Sequence, residues 1–555
     1  MQRNFDSLEQ TPFDLAIIGG GATGAAIALD ASLRGLRVAL VDKGDFAAAT
    51  SAGSSKLIHG GLRYLAQGHF KDVREGLRER RHWQHMAKHL VHPLPFAVPL
   101  YKDEKPGYWF LKAGLYLYDL LSFDRNRGVD IMQKMPGHRS MTAAQIKGLV
   151  PELALQRSEG GNLIGGFLYH DGQMLSPERL CLAMLRTAIE AGAVAVNYAE
   201  ATEFLYDEAR ICGVKVKDGL GRKTAELRAA LTINAAGPWA DLVMHKAAKD
   251  KTQKKLVRSK GIHIVTRNLT RGAALAAPVD GEHLFVLPWM GCSVLATTDT
   301  RFDEDPDKAA VEGEDIDALL AKTNRVLPHA NLTRRDILHS YVGLRPLVAD
   351  IDMPVKTTYG LSRGAEIYDH GKEDGVFGLI SALGGKWTTA RRLGEETVDL
   401  AFETLDRTPP YKRSADTVLV CSPRQDLSVF MDEMRAIYPE VETAALDVLS
   451  RLYGRLLPDM MAVDSKGLAA MGDDILAKRV AFAVDHEMAV SLSDVVLRRL
   501  VEGQMGLLTS AQIDAIADYM ATRLNWSDAA TKRQKAELSK AMQLPKKQLR
   551  KKKDS

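Results

Sequence analysis

The stretch FDLAIIGGGATG, residues 13–24, decides the fold of this chain. It joins a short apolar run to the motif G-x-G-x-x-G, and alanines and leucines at helical spacing follow as far as Arg34. A second apolar run, Val38 to Val41, ends at Asp42. Strand, glycine turn, helix and strand in this order predict a βαβ unit that binds a dinucleotide. Asp42 is expected to accept hydrogen bonds from ribose hydroxyls.

Each residue of the glycine turn has an expected task. Gly19 permits the tight turn, Gly21 lets the backbone approach a pyrophosphate, and Gly24 lets the helix pack closely on the strand. The first helical residues, Ala22 and Thr23, offer N–H groups and the positive end of the helix dipole to phosphates. The motif alone does not distinguish NAD from FAD.

The composition is that of a globular chain with several domains. Among 555 residues, 46% are hydrophobic and 26% charged, and this length predicts two or three domains. The net charge of +4 is too small to indicate nucleic-acid binding. The four cysteines have no metal-site spacing, so we expect no metal and a reduced, cytoplasmic compartment. No signal-peptide core or apolar run of spanning length occurs, so any membrane contact should be peripheral.

Hydrophobic patterns indicate how the rest of the chain is organised. Alternating stretches at 194–218 and 225–234 predict strands that return to the first sheet, and 255–300 and 337–383 predict further strands. From about 410 to 540 nearly every segment has helical periodicity. This last stretch therefore predicts a separate α-helical domain.

Several sequence motifs, taken in their order along the chain, point to one family. The motifs are KGDF (43–46), ATS (49–51), SSKLIHGGLRYL (54–65), NAAGPW (234–239), KGIHIV (260–265), YVGLRPL (341–347) and GGKWTT (384–389). Together they resemble the FAD-dependent, quinone-linked (aerobic) glycerol-3-phosphate dehydrogenases. They keep that family's order over residues 13–400, and the helical region that follows looks like the family's cap domain.

The resemblance implies an α/β fold with three parts. These are an FAD-binding Rossmann-like domain of the glutathione-reductase and D-amino-acid-oxidase type, an antiparallel-sheet substrate domain, and an all-α C-terminal cap domain. The first two are expected to interleave within residues 1–400. The expected FAD parts are about 10–75, 177–245 and 370–400, the substrate parts about 76–176 and 246–369, the cap 401–545, and a basic tail 546–555.

The resemblance also implies FAD as the cofactor. Small polar side chains suit the path of FAD from its adenosine to its flavin ring, and Lys386 before a helix suits the negative charge of reduced flavin. The implied cofactor residues are Gly19, Gly21, Ala22, Thr23, Gly24, Asp42, Lys43, Thr50, Ser51, Ser54, Ser55, Lys56, Leu57, His59, Gly60, Gly61, Ala236, Gly237, Gly385, Lys386, Trp387 and Thr388.

The implied reaction is oxidation of sn-glycerol 3-phosphate to dihydroxyacetone phosphate by hydride transfer to flavin N5. Arginine suits the substrate phosphate because its fork pairs two oxygens. His263 is the expected base, since an imidazole accepts a hydroxyl proton near neutral pH; an arginine or lysine acting electrostatically, with water as the acceptor, is the alternative. The implied substrate residues are Arg63, Tyr64, Arg345 and Arg363, and the catalytic ones His263, Arg345 and Lys386.

Departures from the family pattern leave alternatives open. Ile262 and Val342 replace residues that are often small or polar, and Trp387 replaces a smaller apolar one. These changes affect the expected size of the pocket, so a longer polyol phosphate such as erythritol phosphate is an alternative substrate. Because relatives divide between quinone-linked dehydrogenases and oxidases, a glycerol-3-phosphate oxidase that uses oxygen is an alternative activity.

Two segments suggest contact with a membrane. Residues 105–118 mix aromatic side chains with lysine, as helices at a membrane surface do, although a buried helix of the substrate domain has the same pattern. The tail, 545–555, is basic and suits anionic lipid, or is a solubilising end. We expect a protein bound peripherally to the inner face of the cytoplasmic membrane. Its expected partners are a polyol phosphate and a membrane quinone, with no nucleic acid and a possible homodimer.

Overall fold

A computed structural model describes residues 1–10, 12–65, 68–105, 107–156, 161–248, 252, 254–279, 281–350, 364–411 and 414–546. The strands are β1 Phe13–Ile18, β2 Val38–Val41, β3 Leu57–Ile58, β4 Val91–Tyr101, β5 Arg139–Met141, β6 Leu163–Met174, β7 Val194–Val196, β8 Ala199–Asp207, β9 Arg210–Asp218, β10 Thr224–Asn234, β11 Lys254–Arg267, β12 Ala274–Val279, β13 Glu282–Trp289, β14 Cys292–Ala296, β15 Thr300–Phe302, β16 Ile337–Asp350, β17 Ala365–Asp369 and β18 Leu379–Gly384. They form two sheets.

Helices surround both sheets and make up the C-terminal region. They are α1 Ala22–Leu33, α2 Leu62–Leu65, α3 Phe70–Met86, α4 Tyr108–Leu121, α5 Ala143–Leu149, α6 Pro177–Glu190, α7 Ala240–Ala248, α8 Gly313–Val326, α9 His370–Glu373, α10 Ala390–Thr404, α11 Leu427–Ile437, α12 Thr443–Tyr453, α13 Leu457–Ala462, α14 Asp474–His486, α15 Val501–Gln504, α16 Ser510–Arg523 and α17 Asp528–Met542. A π-helical turn, Asp494–Arg499, precedes α15. None of the described helices combines the length and apolarity needed to cross a bilayer.

The first sheet contains the predicted βαβ unit. Its order is β17-β18-β10-β1-β2-β7, and β1 pairs in parallel with both β2 and β10. Every residue of β1 and β2 is buried, as expected for parallel strands covered on both faces. Helices α1, α6 and α10 pack together in the core cluster beside these strands. The Rossmann-like FAD-binding fold predicted from the sequence is confirmed.

The second sheet is mainly antiparallel and lies against two groups of helices. Its order is β15-β11-β14-β13-β12-β4-β6-β3, with β16 paired to β11 and β5 to β6. One core cluster joins it to α5 and α8, and another joins it to α4 and the C-terminal helices α11–α13. The predicted antiparallel substrate sheet and helical C-terminal region are therefore present.

Two short strands depart from the predicted domain limits. β3 lies within the segment assigned to FAD binding but pairs with β6 of the second sheet. β17 lies within the segment assigned to the substrate domain but pairs with β18 of the first sheet. The division into interleaved domains stays a prediction. The chain passes between the sheets at these strands, so the loop before β3 contacts both of them.

The loop 49–56, between β2 and β3, crosses β16 at very short range. A Cβ atom at Gly343 would lie 2.0 Å from the Gly53 carbonyl oxygen, and one at Gly53 would lie 2.3 Å from the carbonyl oxygen of Val342. Neither distance is compatible with a side chain, so both positions require glycine. Beside the crossing, Thr50 Oγ1 donates to the carbonyl of Leu344 at 2.7 Å.

A buried ionic cluster attaches the C-terminal region to the first sheet. Asp45 is buried in the loop after β2. Arg499 binds it through two nitrogens at 2.8 Å each, and Arg498 Nε donates to it at 2.7 Å. Charge-assisted bidentate pairing of this kind satisfies a carboxylate that has lost its water. The π-helical turn is thereby fixed beside the glycine turn.

We expect Gly343→Ala to lower the free energy of unfolding by about 1–3 kcal/mol, because its methyl group overpacks the crossing, and to weaken retention of a cofactor held by the loop 49–56. Thermal unfolding and cofactor release measure the two effects. Gly114→Ala in α4 is the control, since nothing lies within 4 Å of a Cβ there and alanine favours helix. Equal stability of the two variants would contradict the crossing.

Candidate active site

The glycine turn has the geometry that close phosphate binding requires. Gly19 has a φ of +107°, and a Cβ at Gly24 would lie 1.8 Å from the Gly19 carbonyl oxygen. Gly21 caps α1 without any side-chain cap. Ser51 Oγ accepts a hydrogen bond from the N–H of Ala22 at 2.9 Å. The positive end of α1 therefore faces the loop 49–56, where a pyrophosphate is expected.

Asp42 lies where the sequence placed it, and the backbone of the turn holds it. Its carboxylate accepts from the N–H of Gly20 at 2.6 Å and from that of Gly44 at 2.8 Å. Burial raises the pKa of Asp42 to about 6, while these two hydrogen bonds act in the opposite direction. Each carboxylate oxygen has a further lone pair, so the group can still accept from ribose hydroxyls.

Lys43, predicted to bind the cofactor, makes its own contacts at the surface. Its Nζ lies 2.6 Å from Asp307 Oδ1 and 4.4 Å from the centre of the Trp239 ring. The cation therefore links the end of β2 to the 3₁₀ turn at residues 237–239 and to the loop before α8. Sequence reasoning missed Asp307, which lies far away in the chain.

The segment after β18 and the loop 49–56 are joined by hydrogen bonds. Trp387 Nε1 donates to the carbonyl of Ser51 at 2.9 Å, and the N–H of His59 donates to Thr388 Oγ1 at 3.0 Å. Trp83 Nε1, from α3, donates to the carbonyl of Thr388 at 2.9 Å. Four predicted cofactor residues thus meet in space. Trp83 was missed, because a tryptophan in a helix usually indicates core packing alone.

Lys386 and Tyr64, predicted to act on the substrate, lie together. Lys386 Nζ is 3.9 Å from the centre of the Tyr64 ring, a cation–π contact. Gly384 and Gly385 before it have φ of +68° and +93°, which turns the chain from β18 toward α10. The predicted substrate residue Arg363 and the side chain of Arg63 lie outside the described residues.

Arg345 is positioned by the pairing of β16 with β11. It stands opposite Ser259, and its guanidinium donates to Ser259 Oγ at 2.9 Å and to Thr297 Oγ1 at 2.7 Å. A Cβ atom at Gly261 would lie 2.2 Å from Arg345 Nη2. The guanidinium therefore covers Gly261, two residues before His263. These hydroxyl partners were missed, because no sequence signal links them to the arginine.

His263 lies on the same face of the second sheet as Arg345. Its Nε2 is 3.0 Å from Ser55 Oγ, and its ring stacks on Tyr341 with centroids 4.8 Å apart. Burial, with help from Arg345 and Lys56, lowers the pKa of His263 well below its ordinary 6.5. The imidazole is therefore uncharged near neutral pH.

Other predicted cofactor residues support the loop through its backbone. Ser54 Oγ accepts from the N–H of Lys56 at 3.3 Å. The N–H of Gly60 donates to Asp171 Oδ1 at 3.1 Å, and Arg80 Nη1 donates to the same oxygen at 2.6 Å. Asp171 was missed as a site residue. It ties the Gly60 turn to β6.

The side chain of Lys56, a predicted cofactor residue, extends away from the loop 49–56. Its Nζ donates to Gln504 Oε1, in α15, at 3.2 Å and lies over the rings of Trp289 and Tyr341. The side chain therefore reaches from the loop 49–56 into the C-terminal region. Only the tertiary structure reveals this partner, because almost the whole chain separates Lys56 from Gln504.

Two family models match the chain. One, described as FAD dependent oxidoreductase, covers residues 14–400, and the other, the C-terminal domain of alpha-glycerophosphate oxidase, covers residues 383–531. The chain is 37% identical over 516 residues to glycerol-3-phosphate dehydrogenase from Synechocystis sp., with 90% of each covered. It is 34% identical to aerobic glycerol-3-phosphate dehydrogenase from Staphylococcus haemolyticus, over 72% of this chain and 68% of that protein.

A solved structure agrees with both matches. The glycerol-3-phosphate dehydrogenase from Bacillus halodurans, complexed with FAD, has a TM-score of 0.77 and 28% sequence identity, over 96% of this chain and 95% of that one. The glycine turn, the open N-terminus of α1 and the hydroxyl-lined loop 49–56 suit a dinucleotide. The chain thus belongs to the FAD-dependent glycerol-3-phosphate dehydrogenases, and its cofactor is FAD.

Proposed function

We propose that this protein oxidises sn-glycerol 3-phosphate to dihydroxyacetone phosphate. One observation carries the proposal: a guanidinium and an uncharged imidazole lie on one sheet face, beside the cofactor loop. Arg345 covers Gly261, and His263 lies two residues further along β11, a separation of roughly 7 Å along a strand. This spacing suits a phosphate and a hydroxyl on neighbouring carbons of one small molecule. The names of the relatives support the same substrate.

Different residues bind the phosphate and accept the proton during alcohol oxidation. Arg345 binds and orients the phosphate, because guanidinium pairs with phosphate oxygens. His263 Nε2 takes the hydroxyl proton as the carbinol carbon becomes a carbonyl carbon. Bound FAD supplies the acceptor for the hydride that leaves this carbon. Lys386 places a positive charge over the ring of Tyr64, a predicted substrate residue.

The imidazole is ready for this role before substrate arrives. Ser55 Oγ, 3.0 Å from Nε2, shows that this nitrogen faces the cofactor loop. The Nδ1 atom is buried and has no hydrogen-bond partner within the described residues. The lowered pKa of His263 means that no proton must leave before the imidazole accepts one. We infer that His263, rather than water, is the base.

We also propose that the electrons pass to a membrane quinone and that the protein binds the membrane surface from the cytoplasmic side. Helix α4 supports this second proposal. It buries Leu115 and Tyr118 on its inner face. On its outer face it exposes large apolar side chains, and Phe123 extends the stripe beyond the helix. Their exposed fractions are Trp109 76%, Phe110 61%, Tyr116 60%, Leu120 68% and Phe123 75%.

An outer face of this kind is unusual for a surface helix. Surface helices normally place polar side chains toward solvent, and large exposed apolar patches mark interaction sites. Lys112 Nζ lies 5.2 Å from the Trp109 ring centre, so a cation accompanies the aromatic group, as in helices at lipid headgroups. A quinone dissolved in the membrane requires such an approach. The outer face of α4 is therefore the proposed membrane contact.

Arg345→Ala should lower kcat/KM for sn-glycerol 3-phosphate by at least about tenfold, since a hydrogen bond to a charged group contributes about 1.5–3 kcal/mol. Anaerobic reduction of bound FAD, followed by its absorbance, measures this, with erythritol phosphate and amino acids as comparison substrates. Arg301→Ala is the control, because Arg301 lies on the neighbouring strand β15 and pairs with Asp303 at the surface. An unchanged kcat/KM in Arg345→Ala would remove this arginine from the site.

His263→Asn should keep fold and FAD but slow flavin reduction by about 10²–10⁴, the usual effect of removing a general base. Rapid mixing with saturating substrate measures the rate, and bound FAD is quantified beforehand. The control, His329→Asn, changes an exposed histidine and should reduce FAD at the normal rate. Reduction of His263→Asn at the normal rate would favour water as the base.

Trp109→Glu should weaken binding to anionic vesicles at every salt concentration, because it opposes insertion of the α4 stripe. Removing residues 547–555, which lie outside the described residues, should weaken binding only at low salt, since the Debye length falls from about 10 Å at 0.1 M to about 3 Å at 1 M. Vesicle sedimentation measures both.

Phe377→Glu is the control for the vesicle experiment, because Phe377 is 54% exposed and precedes β18 of the first sheet. It should bind vesicles normally. If the unaltered protein does not bind at low salt, and its reduced FAD reacts faster with oxygen than with quinone, the oxidase is the better description.

A further inference from the structure

Lys56 is a buried cation that the reaction proposed above does not use. Its side chain is 1% exposed, and within the described residues it makes no ion pair. Its partners are the Gln504 side-chain oxygen at 3.2 Å and two aromatic rings. Burial lowers the pKa of Lys56, and Glu178, which accepts from Gln504, opposes the shift. Burying an unpaired ammonium costs free energy. A functional role for the charge would explain why a lysine occupies this position.

The backbone of Lys56 is also strained. Lys56 has a φ of +57°, a left-handed backbone conformation that residues other than glycine rarely adopt. Strain of this kind persists where the surroundings require it, often at functional sites. The conformation aims the side chain inward while the preceding residue, Ser55, contacts His263. Ser55 thus contacts the imidazole directly, whereas the Lys56 side chain contacts the neighbouring ring of Tyr341.

The ammonium is connected to His263 through Tyr341. Lys56 Nζ lies 5.2 Å from the centre of the Tyr341 ring, and the His263 ring stacks on Tyr341 at 4.8 Å. Tyr341 OH donates to the carbonyl of Ser54 at 3.1 Å, so the tyrosine cannot turn away without breaking this bond. The cation, the phenol and the imidazole form one packed row.

We propose that Lys56 is a positioning residue for the oxidation: it fixes Tyr341 under His263, and repulsion between its ammonium and an imidazolium keeps the resting His263 unprotonated until substrate binds. The inference rests on the proposed function, in which His263 is the base. Lys56 makes no direct contact with His263 within the described residues. Its contribution acts through packing and through its charge.

The other groups around His263 do not replace this charge. Arg345, from β16, also repels a proton on the imidazole, but phosphate binding will neutralise its field. Tyr341 has its pKa raised well above 10 by burial and stays neutral. His339, 6.1 Å from Tyr341, has its pKa lowered to about 4 by burial and is neutral as well. Once the phosphate is bound, Lys56 is therefore the described cation that still disfavours protonation of His263.

Lys56→Met tests the proposal, because methionine fills similar space without charge. In the FAD-loaded, substrate-free protein, NMR titration of ¹³C-labelled histidine, with His263 assigned through His263→Asn, should show the pKa of His263 rising toward its ordinary 6.5. Flavin reduction by saturating sn-glycerol 3-phosphate should then acquire an acid limb and fall by up to about tenfold at pH 5.5 relative to pH 8. The sign follows because a base with a raised pKa is protonated, and lost, as pH falls.

Lys56→Arg retains the charge and should restore the pH profile of the unaltered protein in the same range. Gln504→Glu tests the charge independently, since a carboxylate beside Lys56 should cancel its field and also raise the pKa of His263. If Lys56→Met does not fold, this variant decides. An unshifted His263 titration in the variants that fold would overturn the proposal, as would a loss of rate equal at every pH.

The two proposals fail in different ways. If sn-glycerol 3-phosphate does not reduce FAD in the unaltered protein, the proposed function is wrong. The NMR titration needs no substrate, so the effect of Lys56 on His263 is still measured in that case. A normal reaction combined with an unshifted titration would instead leave the proposed function standing and remove Lys56 from it.

Discussion

The crossing of the loop 49–56 over β16 is the constraint on which the site depends. Gly53 and Gly343 bring two backbones within a distance that excludes any side chain. On one side of the crossing, Ser51 meets the N-terminus of α1. On the other, β16 carries Arg345 toward β11. A single close approach therefore sets the loop 49–56 relative to Arg345, a proposed substrate residue.

Buried charges attach the C-terminal region to the segment between β2 and β3. Arg498 and Arg499 bind Asp45, and Gln504 binds Lys56. Buried ion pairs add little net stability because desolvation opposes the attraction, yet removal of one partner is costly. The pairing therefore acts as a specific attachment: a shift of the π-helical turn would leave Asp45 unpaired in the interior, and a shift of α15 would remove the side-chain hydrogen bond of Lys56. In this sense the helical region belongs to the site although it contributes no described catalytic residue.

Helix α4 has one face in the protein core and one face in solvent. Its inner side chains pack in the core cluster shared with α3 and the C-terminal helices. Its outer side chains, from Trp109 to Leu120, remain in solvent. The sequence pattern of residues 105–118 fits a core helix and a membrane-surface helix alike, and the structure shows that one side of the helix is buried while the other is exposed. The two interpretations are therefore compatible.

The sequence by itself determined the βαβ unit, the family and the cofactor, because these depend on contiguous motifs whose backbone requirements are local. Gly19, Gly24 and Asp42 could be assigned in this way. It also predicted His263 and Arg345 as site residues through their motifs, without showing that strand pairing puts them on one face. The tertiary structure alone decided that Lys56 points to Gln504 and which face of α4 is exposed. These outcomes depend on contacts between residues far apart in the chain, and no local pattern encodes which distant side chain will occupy the space beside a buried charge.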